Sequence, residues 1–369
     1  MYVKRLVLHN FRCYEDLDCS FPKDRIYLTG DNGTGKTNVI EAIYYLTIGR
    51  SFRKADNSEL IRKGEQSASI YLEYHSTKDD QDHSLSCLIG TNYKVFAVDG
   101  EKVNSLSKIL RKLLAVYYDP SLVFFFKDDP ETRRRFLDEA LSQLSPQYLF
   151  AIGRYKKLLK ERNTALQQNY DSDVIDVLKN ELINLSYRIV KDRSDLIAKL
   201  SKDANRYYSL LFQEGDRNFS LSYKTNCPLE ADQKRYQELS MKYFESTKSN
   251  ESLKKATIIG PHRDDLLGVL NGNSLSGYGS QGENRLASLS LKLAVLDEFA
   301  KTLGDVPILL LDDVTSDLDD RRCRNLLSLI HSENQQVFVT GTTIRGGFED
   351  YALFKTNKNQ QIQEVKTNE

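Results

Sequence analysis

Over the first 118 residues, apolar positions alternate with polar ones or form short runs, which is typical of strands. The runs KRLVLHNF, DRIYLTG, SIYLEYHS, SLSCLIG, YKVFAV and LLAVYYD predict separate strands. Asp99-Gly100 predicts a two-residue hairpin turn, because that turn needs positive φ. One helical pattern runs from Asn38 to Ile48 and ends at Gly49. We therefore expect a strand-rich first segment over residues 1–118.

The second segment, residues 119–256, has a helical pattern. Glycine and proline do not occur between Arg154 and Glu214, and apolar residues recur there at three- and four-residue steps. The predicted apolar face consists of Ile175, Leu178, Leu182, Leu185, Ile189, Leu196 and Leu200. It spans too few heptads for a long coiled coil, so we predict two or three helices packed into a lobe. The polar stretch 213–257 gives no clear pattern.

Strands and helices alternate again in the third segment, residues 257–369. GVLNGNSLS, VPILLLDD and QQVFVTGT predict strands, and helices are predicted from Gln281 and after Asp320. The first and third segments together indicate one α/β domain that the helical insertion splits in sequence.

Composition narrows the class of protein. The 369 residues are 40% apolar and 28% charged, which is typical of a soluble globular chain with a core. The 52 basic and 52 acidic residues balance, so net charge neither indicates nor excludes a nucleic-acid partner. The five cysteines are scattered, and no apolar stretch reaches the ~18 residues of a membrane span. We expect a cytoplasmic protein without disulfides, zinc or a membrane partner.

A glycine-rich loop, GDNGTGKTN, lies between a predicted strand and a predicted helix and matches the phosphate-loop pattern G-x-x-x-x-G-K-[ST]. Its glycines let backbone amides turn toward a β-phosphate, Lys36 reaches the β and γ oxygens, and Thr37 supplies a hydroxyl to Mg²⁺. The following helix adds the positive end of its dipole. The predicted nucleotide-binding residues of this loop are Gly30, Asp31, Asn32, Gly33, Thr34, Gly35, Lys36, Thr37 and Asn38.

The buried strand pattern of VPILLLDD ends in two carboxylates, which fits a Walker B strand. We assign Asp312 with Thr37 to Mg²⁺, and Asp313 to the polarisation of an attacking water. Lys36 and Asp313 are the predicted catalytic residues. ATP and Mg²⁺ are therefore the expected cofactors of a P-loop NTPase.

The segment GYGSQGENRLASLSLKLAVLDEF, residues 277–299, supports two compatible interpretations. Ser280 and Glu283 form the S-x-x-E capping box of a helix whose buried face is marked by leucines. GSQGE also resembles the ABC-type signature, whose serine hydroxyl and glycine amides bind an anion at a helix N-terminus. We predict nucleotide contacts from Ser280, Gln281 and Gly282, and treat Glu283 as a cap because related signatures usually carry glutamine there.

These motifs together resemble the RecF family of bacterial recombination mediators, in the SMC and ABC-type ATPase group, over essentially the whole chain. LHNFRCYEDL, GDNGTGKTN, GRSFR, DDPETRRRFLD, GPHRDDL, YGSQGENRLASLSLKLA and LLLDDVTSDLD carry the resemblance. The fold it implies is an ABC/SMC-type split ATPase head, with the head in segments 1–118 and 257–369 and a helical insertion lobe in segment 119–256. It also implies ATP-dependent homodimers, binding to DNA at gaps and single-strand to duplex junctions, and cooperation with RecR and RecO in loading RecA.

Two departures favour slow ATP hydrolysis, used as a switch. Gly341-Thr342-Thr343 follows the strand QVFVT, where ABC transporters place a switch histidine, and Asp313 is shorter than the glutamate of many relatives. A glutamine loop cannot be placed. The alternatives are the ATP-binding subunit of an ABC transporter, which a helical lobe of this size disfavours, and a nuclease of the same group, for which no metal cluster is visible in the sequence.

Basic residues that could contact DNA lie in three places. Arg133, Arg134 and Arg135 form one cluster, and GRSFR and RYKKLLKER carry the others. Arg263 is interpreted as structural and paired with a neighbouring carboxylate. The predicted DNA-binding residues are Arg50, Arg53, Lys156, Lys157 and Lys160. For the last three, a solvated helix face is the usual explanation of such a charged run, and DNA contact is the alternative.

Overall fold

The computed structural model describes residues 1–212, 217–314, 320–330, 335–343, 348, 350–357 and 360–365. The chain forms two compact units. Unit 1 comprises Met1–Leu122, Tyr207–Gly215 and Ser288–Glu369, and unit 2 comprises Val123–Arg206 and Asp216–Ala287. Within the described part of the chain, no helix combines the length and the apolar character that crossing a membrane requires.

Unit 1 contains an antiparallel sheet that accounts for most of the strands predicted in the first segment. Its strands are β1 (Tyr2–Phe11), β2 (Tyr14–Ser20), β4 (Ser67–Ser76), β5 (Gln81–Gly90), β6 (Tyr93–Val98) and β7 (Glu101–Val103). They follow the order β2-β1-β4-β5-β6-β7. Burial alternates along β4, as expected of a sheet with one face on a core. The predicted hairpin turn between β6 and β7 is confirmed, with φ of 50° at Asp99 and 81° at Gly100.

The second sheet of unit 1 is parallel except at one edge. Its strands are β3 (Arg25–Thr29), β8 (Ala115–Tyr118), β12 (Ile308–Leu311), β13 (Val337–Gly341), β14 (Ala352–Thr356) and β15 (Ile362–Val365). They follow the order β15-β14-β3-β13-β12-β8, and only β15 runs antiparallel to its neighbour. Every residue of β12 and β13 is buried, which explains their unbroken apolar sequences. Because β13 pairs with both β3 and β12, the carboxyl ends of these three strands meet at one edge.

Helices complete unit 1. Helix α1 (Lys36–Ile48) follows β3 and ends at Gly49 with φ of 71°, which confirms the predicted stop. Helix α2 (Asn57–Leu60) is short, and a further helix spans Asp320–Leu329. The end of the motif LLLDDVTSDLD, residues 315–319, lies outside the described residues.

Unit 2 is mainly helical. Its helices are α3 (Pro130–Leu144), α4 (Pro146–Gln167), α6 (Gln233–Lys254) and α7 (Leu275–Tyr278). Two long helices, α5 (Ser172–Phe212) and α8 (Gln281–Leu303), begin in unit 2 and end in unit 1. A three-stranded sheet joins β9 (Phe219–Lys224), β10 (Asp265–Leu270) and β11 (Asn273–Ser274) in the order β11-β10-β9. The glycine-free stretch forms two helices, of which α5 has 41 residues. The predicted division into head and lobe at residues 118 and 257 remains a prediction beside the contact-based units.

Two motifs quoted for the family resemblance supply a buried ion-pair network in unit 2. Arg193 on α5 is 1% exposed and lies 2.7 Å from Asp138 and 3.3 Å from Asp264. Arg133 makes a two-pronged contact with Asp265 at 2.6 and 3.0 Å. The expected pairing of Arg263 is therefore wrong: Arg263 is exposed, and Arg193 and Arg133 take the two carboxylates of GPHRDDL. Buried charges need such partners because desolvation is costly.

His262 lies beside this network and is held as a neutral imidazole. Its Nε2 donates to the carbonyl of Thr257 at 3.0 Å, so its Nδ1 accepts from the Tyr155 hydroxyl at 2.7 Å. Burial lowers the pKa of His262 to about 4 from its usual 6.5, and the backbone contact with Thr257 opposes this. The cations Arg263, Arg134 and Arg162 lower the pKa further.

We predict that His262 makes the fold acid-sensitive. The unfolded chain binds a proton near pH 6.5 that the folded chain binds only near pH 4. Stability is therefore full above pH 6.5 and falls as the pH drops toward 4, by roughly 3 kcal/mol in total. Urea unfolding of the parent and of His262→Gln between pH 7.5 and 4 measures the difference. His9→Gln, at an exposed histidine, is the control, and equal pH slopes in all three proteins would contradict the prediction.

Candidate functional site

The phosphate loop connects β3 to α1. Its three glycines have positive φ, and at Gly30 and Gly35 there is also no space for a side chain. Gly30, Gly33 and Gly35 have φ of 150°, 82° and 100°. A Cβ atom on Gly30 would lie 2.3 Å from the Thr356 hydroxyl oxygen, and one on Gly35 would lie 2.6 Å from the Tyr14 hydroxyl oxygen. Helix α1 has no side-chain cap at Gly35. Its first amides therefore remain suited to an anion.

Lys36 closes the loop on itself. Its Nζ donates to the carbonyls of Gly30 at 2.6 Å and Asp31 at 2.8 Å. Burial lowers the pKa of Lys36, and the nearby carboxylates of Asp313 and Asp312 oppose that effect. The ammonium is thus held inside the loop, where phosphate oxygens would be stronger acceptors than carbonyls.

Asp312 is the centre of a hydrogen-bonded cluster at the ends of the parallel strands. Its Oδ1 accepts from the Thr37 hydroxyl at 2.9 Å and from the Thr340 hydroxyl at 2.6 Å. Burial raises the pKa of Asp312, whereas the hydrogen bonds from Thr340 and Thr37 lower it. The sequence analysis missed Thr340, although a polar residue at the end of the buried run VFV was a signal.

Asp313 follows with an unusual backbone. Its φ is 47°, and its amide donates to the Thr340 hydroxyl oxygen at 2.9 Å. Positive φ at a residue other than glycine is costly and concentrates at functional sites.

One cavity of about 220 Å³ brings the predicted loop and Walker B residues together. It is lined by Asn32, Gly33, Gly35, Lys36, Thr37, Asn38, Arg53, Asp312, Asp313 and Thr340. Thr34 is buried and donates to the carbonyl of Asp31 at 2.8 Å, so it supports the loop from behind.

The donors in this cavity fit a nucleotide with Mg²⁺. A threonine hydroxyl and a carboxylate are hard oxygen ligands, and Mg²⁺ usually takes one or two of them, with phosphates and water completing its shell. Among the described residues, no group of three or more His, Cys, Asp or Glu side chains could hold a metal ion alone. Thr37 and Asp312 are the residues of this cavity that could hold Mg²⁺ together with phosphate oxygens.

Arg53 was predicted to contact DNA, and the structure places it on the cavity of the phosphate loop. Its Nη1 donates to Asn38 Oδ1 at 3.2 Å and lies 3.6 Å from the fully buried carboxylate of Glu41. Glu41 also binds Arg12 at 2.6 Å. Arg50 lines a separate cavity of about 490 Å³ together with Lys94. DNA contact by either arginine stays a prediction.

The basic stretch of α4 is mostly solvated. Lys156, Lys157 and Lys160 are exposed. Lys156 pairs with Asp138 at 2.8 Å. Arg162, which belonged to the same sequence cluster, is only 3% exposed. It binds Glu251 at 2.6 Å, so it is a core residue and not a DNA contact.

Arg133 is buried as well, at 5% exposure, and its guanidinium is engaged by Asp265. Its DNA contact is therefore excluded in the same way as that of Arg162. Arg134 and Arg135 are half-buried.

The signature residues Ser280, Gln281 and Gly282 belong to unit 2, whereas the phosphate loop and Asp312 belong to unit 1. The predicted capping box is confirmed: the Ser280 amide and hydroxyl both donate to Glu283 Oε2 at 2.9 Å, and the Glu283 amide donates back to the serine oxygen at 3.2 Å.

A buried asparagine, which the sequence analysis missed, fixes the turn before this helix. The side-chain amide nitrogen of Asn284, Nδ2, donates to the backbone carbonyls of Leu275 at 3.3 Å and Ser280 at 2.9 Å. A Cβ atom on Gly279 would lie 2.5 Å from this amide, so glycine is needed there.

Comparisons with known proteins agree with this architecture. The family model of the RecF/RecN/SMC N terminal domain matches residues 2–362. The protein "DNA replication and repair protein RecF" of Halalkalibacterium halodurans is 36% identical over 352 residues, 94% of each chain. The protein of that name from Streptococcus equi subsp. zooepidemicus is 34% identical over 365 residues, 97% of each chain.

Solved structures of similar proteins have the same fold as this chain. The recombination mediator protein RecF-ATP in the RecFOR pathway superposes with a TM-score of 0.91 at 28% identity, covering 99% of this chain and 97% of that one. An Smc head domain from Pyrococcus furiosus, bound to the C-terminal domain of ScpA, has a TM-score of 0.57 at 16% identity, covering 99% of this chain and 96% of that one. The predicted P-loop ATPase head of the ABC/SMC type with a helical insertion is thus confirmed.

We predict that Thr340→Val destabilises the chain by roughly 1–3 kcal/mol, because it removes one partner of the buried Asp312 carboxylate and the acceptor of the Asp313 amide. Valine keeps the shape of threonine, so packing is retained. Urea unfolding at neutral pH measures the loss. Thr343→Val is the matched control at an exposed position, and equal unfolding free energies of the two variants would contradict the prediction.

Proposed function

The chain belongs to the RecF family within the RecF/RecN/SMC group, and we propose that ATP controls its binding to DNA in recombinational repair and replication restart. The observation that carries this proposal is the single cavity in which the phosphate loop, Thr37 and the two carboxylates meet. Such a cavity serves a nucleoside triphosphate, and the similar proteins named above act in DNA replication and repair by name.

In the proposed complex, loop amides and the Lys36 ammonium bind the β- and γ-phosphates. Mg²⁺, when bound, neutralises charge on the phosphate oxygens, and Thr37 and Asp312 are the residues that would hold it. Asp313 accepts a hydrogen bond from the attacking water and orients it. Arg53 faces the same cavity and adds positive charge beside Lys36. We expect ATP hydrolysis to be slow. Its role would be to return the chain from the ATP-bound state to the ADP-bound state, as in a switch.

We further propose that two copies of the chain enclose two nucleotides. The sequence has one phosphate-loop match and one signature. In ABC-type heads, which the chain resembles, each signature reaches the γ-phosphate held by the opposite copy. Ser280 and the amides of Gln281 and Gly282 would supply that contact. ATP then stabilises a dimer that ADP cannot, because ADP has no γ-phosphate.

The proposed partners follow from the similarity to RecF proteins and to a structure of the RecFOR pathway. They are DNA at gaps and single-strand to duplex junctions, RecR and RecO, and indirectly RecA. The candidate contacts to the phosphates of the DNA backbone are Arg50 and the exposed Lys156, Lys157 and Lys160. The cytoplasm is the proposed location, since the relatives act on DNA. Similarity to RecF over 94% of the chain disfavours a transporter subunit.

Asp312→Asn and Asp313→Asn should have different effects. We expect Asp312→Asn to weaken Mg²⁺-dependent ATP binding by at least about tenfold. Asp313→Asn should leave ATP affinity near the parental value and slow hydrolysis by about 10² or more. Equilibrium ATP binding and single-turnover hydrolysis measure the two effects, with Asp16→Asn, an exposed carboxylate, as control. If Asp313→Asn hydrolyses ATP at the parental rate, another residue orients the attacking water.

ATP should drive dimerisation, and Ser280→Arg should block it, because the larger side chain fills the space where the second copy's phosphate must dock. Sedimentation with ATP, with ADP and without nucleotide measures this. The Lys36→Ala variant should also remain monomeric, because it lacks the ammonium group that binds the phosphates. Ser252→Arg, on the exposed face of α6, is the control and should dimerise like the parent.

Two results would contradict this function. One is a dimer that is equally stable in all three nucleotide states, or that survives Ser280→Arg. The other concerns DNA: titrations at fixed salt should show tighter binding to gapped than to duplex DNA, and only with ATP. Affinity that does not respond to ATP would reject nucleotide control of DNA binding.

A further inference from the structure

An arginine outside every quoted motif is bound to the signature. Arg217 lies two residues before β9, and its Nη1 donates to Glu283 Oε1 at 2.6 Å. The other oxygen of this carboxylate, Oε2, accepts from the amide and hydroxyl of Ser280. One carboxylate therefore joins Arg217 to the serine of the signature.

The backbone beside Arg217 is fixed, so its charge is held at this place. The amide of Asn218 donates to Asn271 Oδ1 at 2.8 Å, and the amide of Phe219 donates to Asn205 Oδ1 at 2.8 Å. The amide of Asn271 returns a hydrogen bond to the carbonyl of Asn218 at 2.9 Å. Arg217 and Glu283 are also partly buried, with side chains 34% and 23% exposed. An exposed pair of flexible side chains would have none of these constraints.

Glu283 creates an electrostatic conflict at the proposed dimer site. Its charge favours the start of α8, because a carboxylate in the first turn interacts well with the helix dipole. The backbone amide of Ser280, and then its hydroxyl and Arg217, lower the pKa of Glu283, which keeps it ionised. The same negative charge opposes a polyphosphate that must approach Ser280. A glutamine, usual at this position in related signatures, would not.

We propose that Arg217 is a positioning residue of the signature, which neutralises Glu283 and holds its carboxylate on the Ser280 amide, so that the Ser280 hydroxyl and the amides that follow can turn to the phosphates bound by a second copy. This inference rests on the proposed ATP-dependent dimer. Arg217 and Glu283 together then act as the neutral equivalent of a single glutamine. The capping function of Glu283 is retained, because the carboxylate still accepts from Ser280.

The test is a rescue experiment on ATP-driven dimerisation. Arg217→Ala leaves the negative charge of Glu283 without its partner, and the dissociation constant of the ATP-bound dimer should rise by about tenfold or more. Adding Glu283→Gln removes that charge, and the dissociation constant of the ATP-bound dimer should return to within about threefold of the parental value. Arg217→Lys keeps the charge and should stay close to the parent. Arg235→Ala, an exposed arginine of α6 paired with Glu238, is the matched control and should also dimerise normally.

Sedimentation equilibrium with ATP at two salt concentrations gives the dimer constants, and circular dichroism melting shows whether each variant is folded. The loss in Arg217→Ala should shrink at high salt, because screening weakens the repulsion. The inference is overturned if folded Arg217→Ala dimerises like the parent, or if Glu283→Gln does not restore it. If Arg217→Ala does not fold, normal dimerisation of Arg217→Gln would overturn it. A parent chain that stays monomeric with ATP would reject the proposed function, and this inference with it.

Discussion

A single carboxylate oxygen, Oδ1 of Asp312, accepts hydrogen bonds from two residues that are distant in the sequence. Thr37 comes after β3, Thr340 belongs to β13, and Asp312 itself follows β12. Parallel pairing brings the carboxyl ends of these strands to one edge of the sheet. The candidate nucleotide site thus depends on the order of the strands, and the buried apolar runs of β12 and β13 stabilise that order.

Both units bury charge, and each does so with a dedicated partner. In unit 1, Glu41 is fully buried and binds Arg12, with Arg53 close by on the nucleotide cavity. In unit 2, Arg193 joins two carboxylates that come from distant parts of the sequence. Breaking such pairs is costly because the remaining charge stays desolvated. Basic residues that resemble a DNA-binding stripe in the sequence are therefore divided between core and surface.

The start of α8 serves structure and proposed function with the same atoms. Ser280 and Glu283 cap the helix, and Asn284 fixes the preceding turn through two carbonyls. A rigid, capped N-terminus presents its amides in a defined direction, which is what an anion contact needs. Arg217 balances the charge that the cap introduces. Helix stability and the proposed phosphate contact therefore depend on one small cluster.

The sequence alone determined the features whose signals are local. The phosphate loop, the strand before Asp312, the capping box at Ser280 and the helix that ends at Gly49 were all predicted, because each depends on neighbouring residues and a fixed spacing. Family resemblance extended these motifs to the fold. The tertiary structure decided which distant side chains meet: Thr340 with Asp312, and Arg53 with the phosphate loop. It also decided the pairing of β9 with β10. Such contacts depend on strand order and on the burial of charge, neither of which leaves a periodic signal in the sequence.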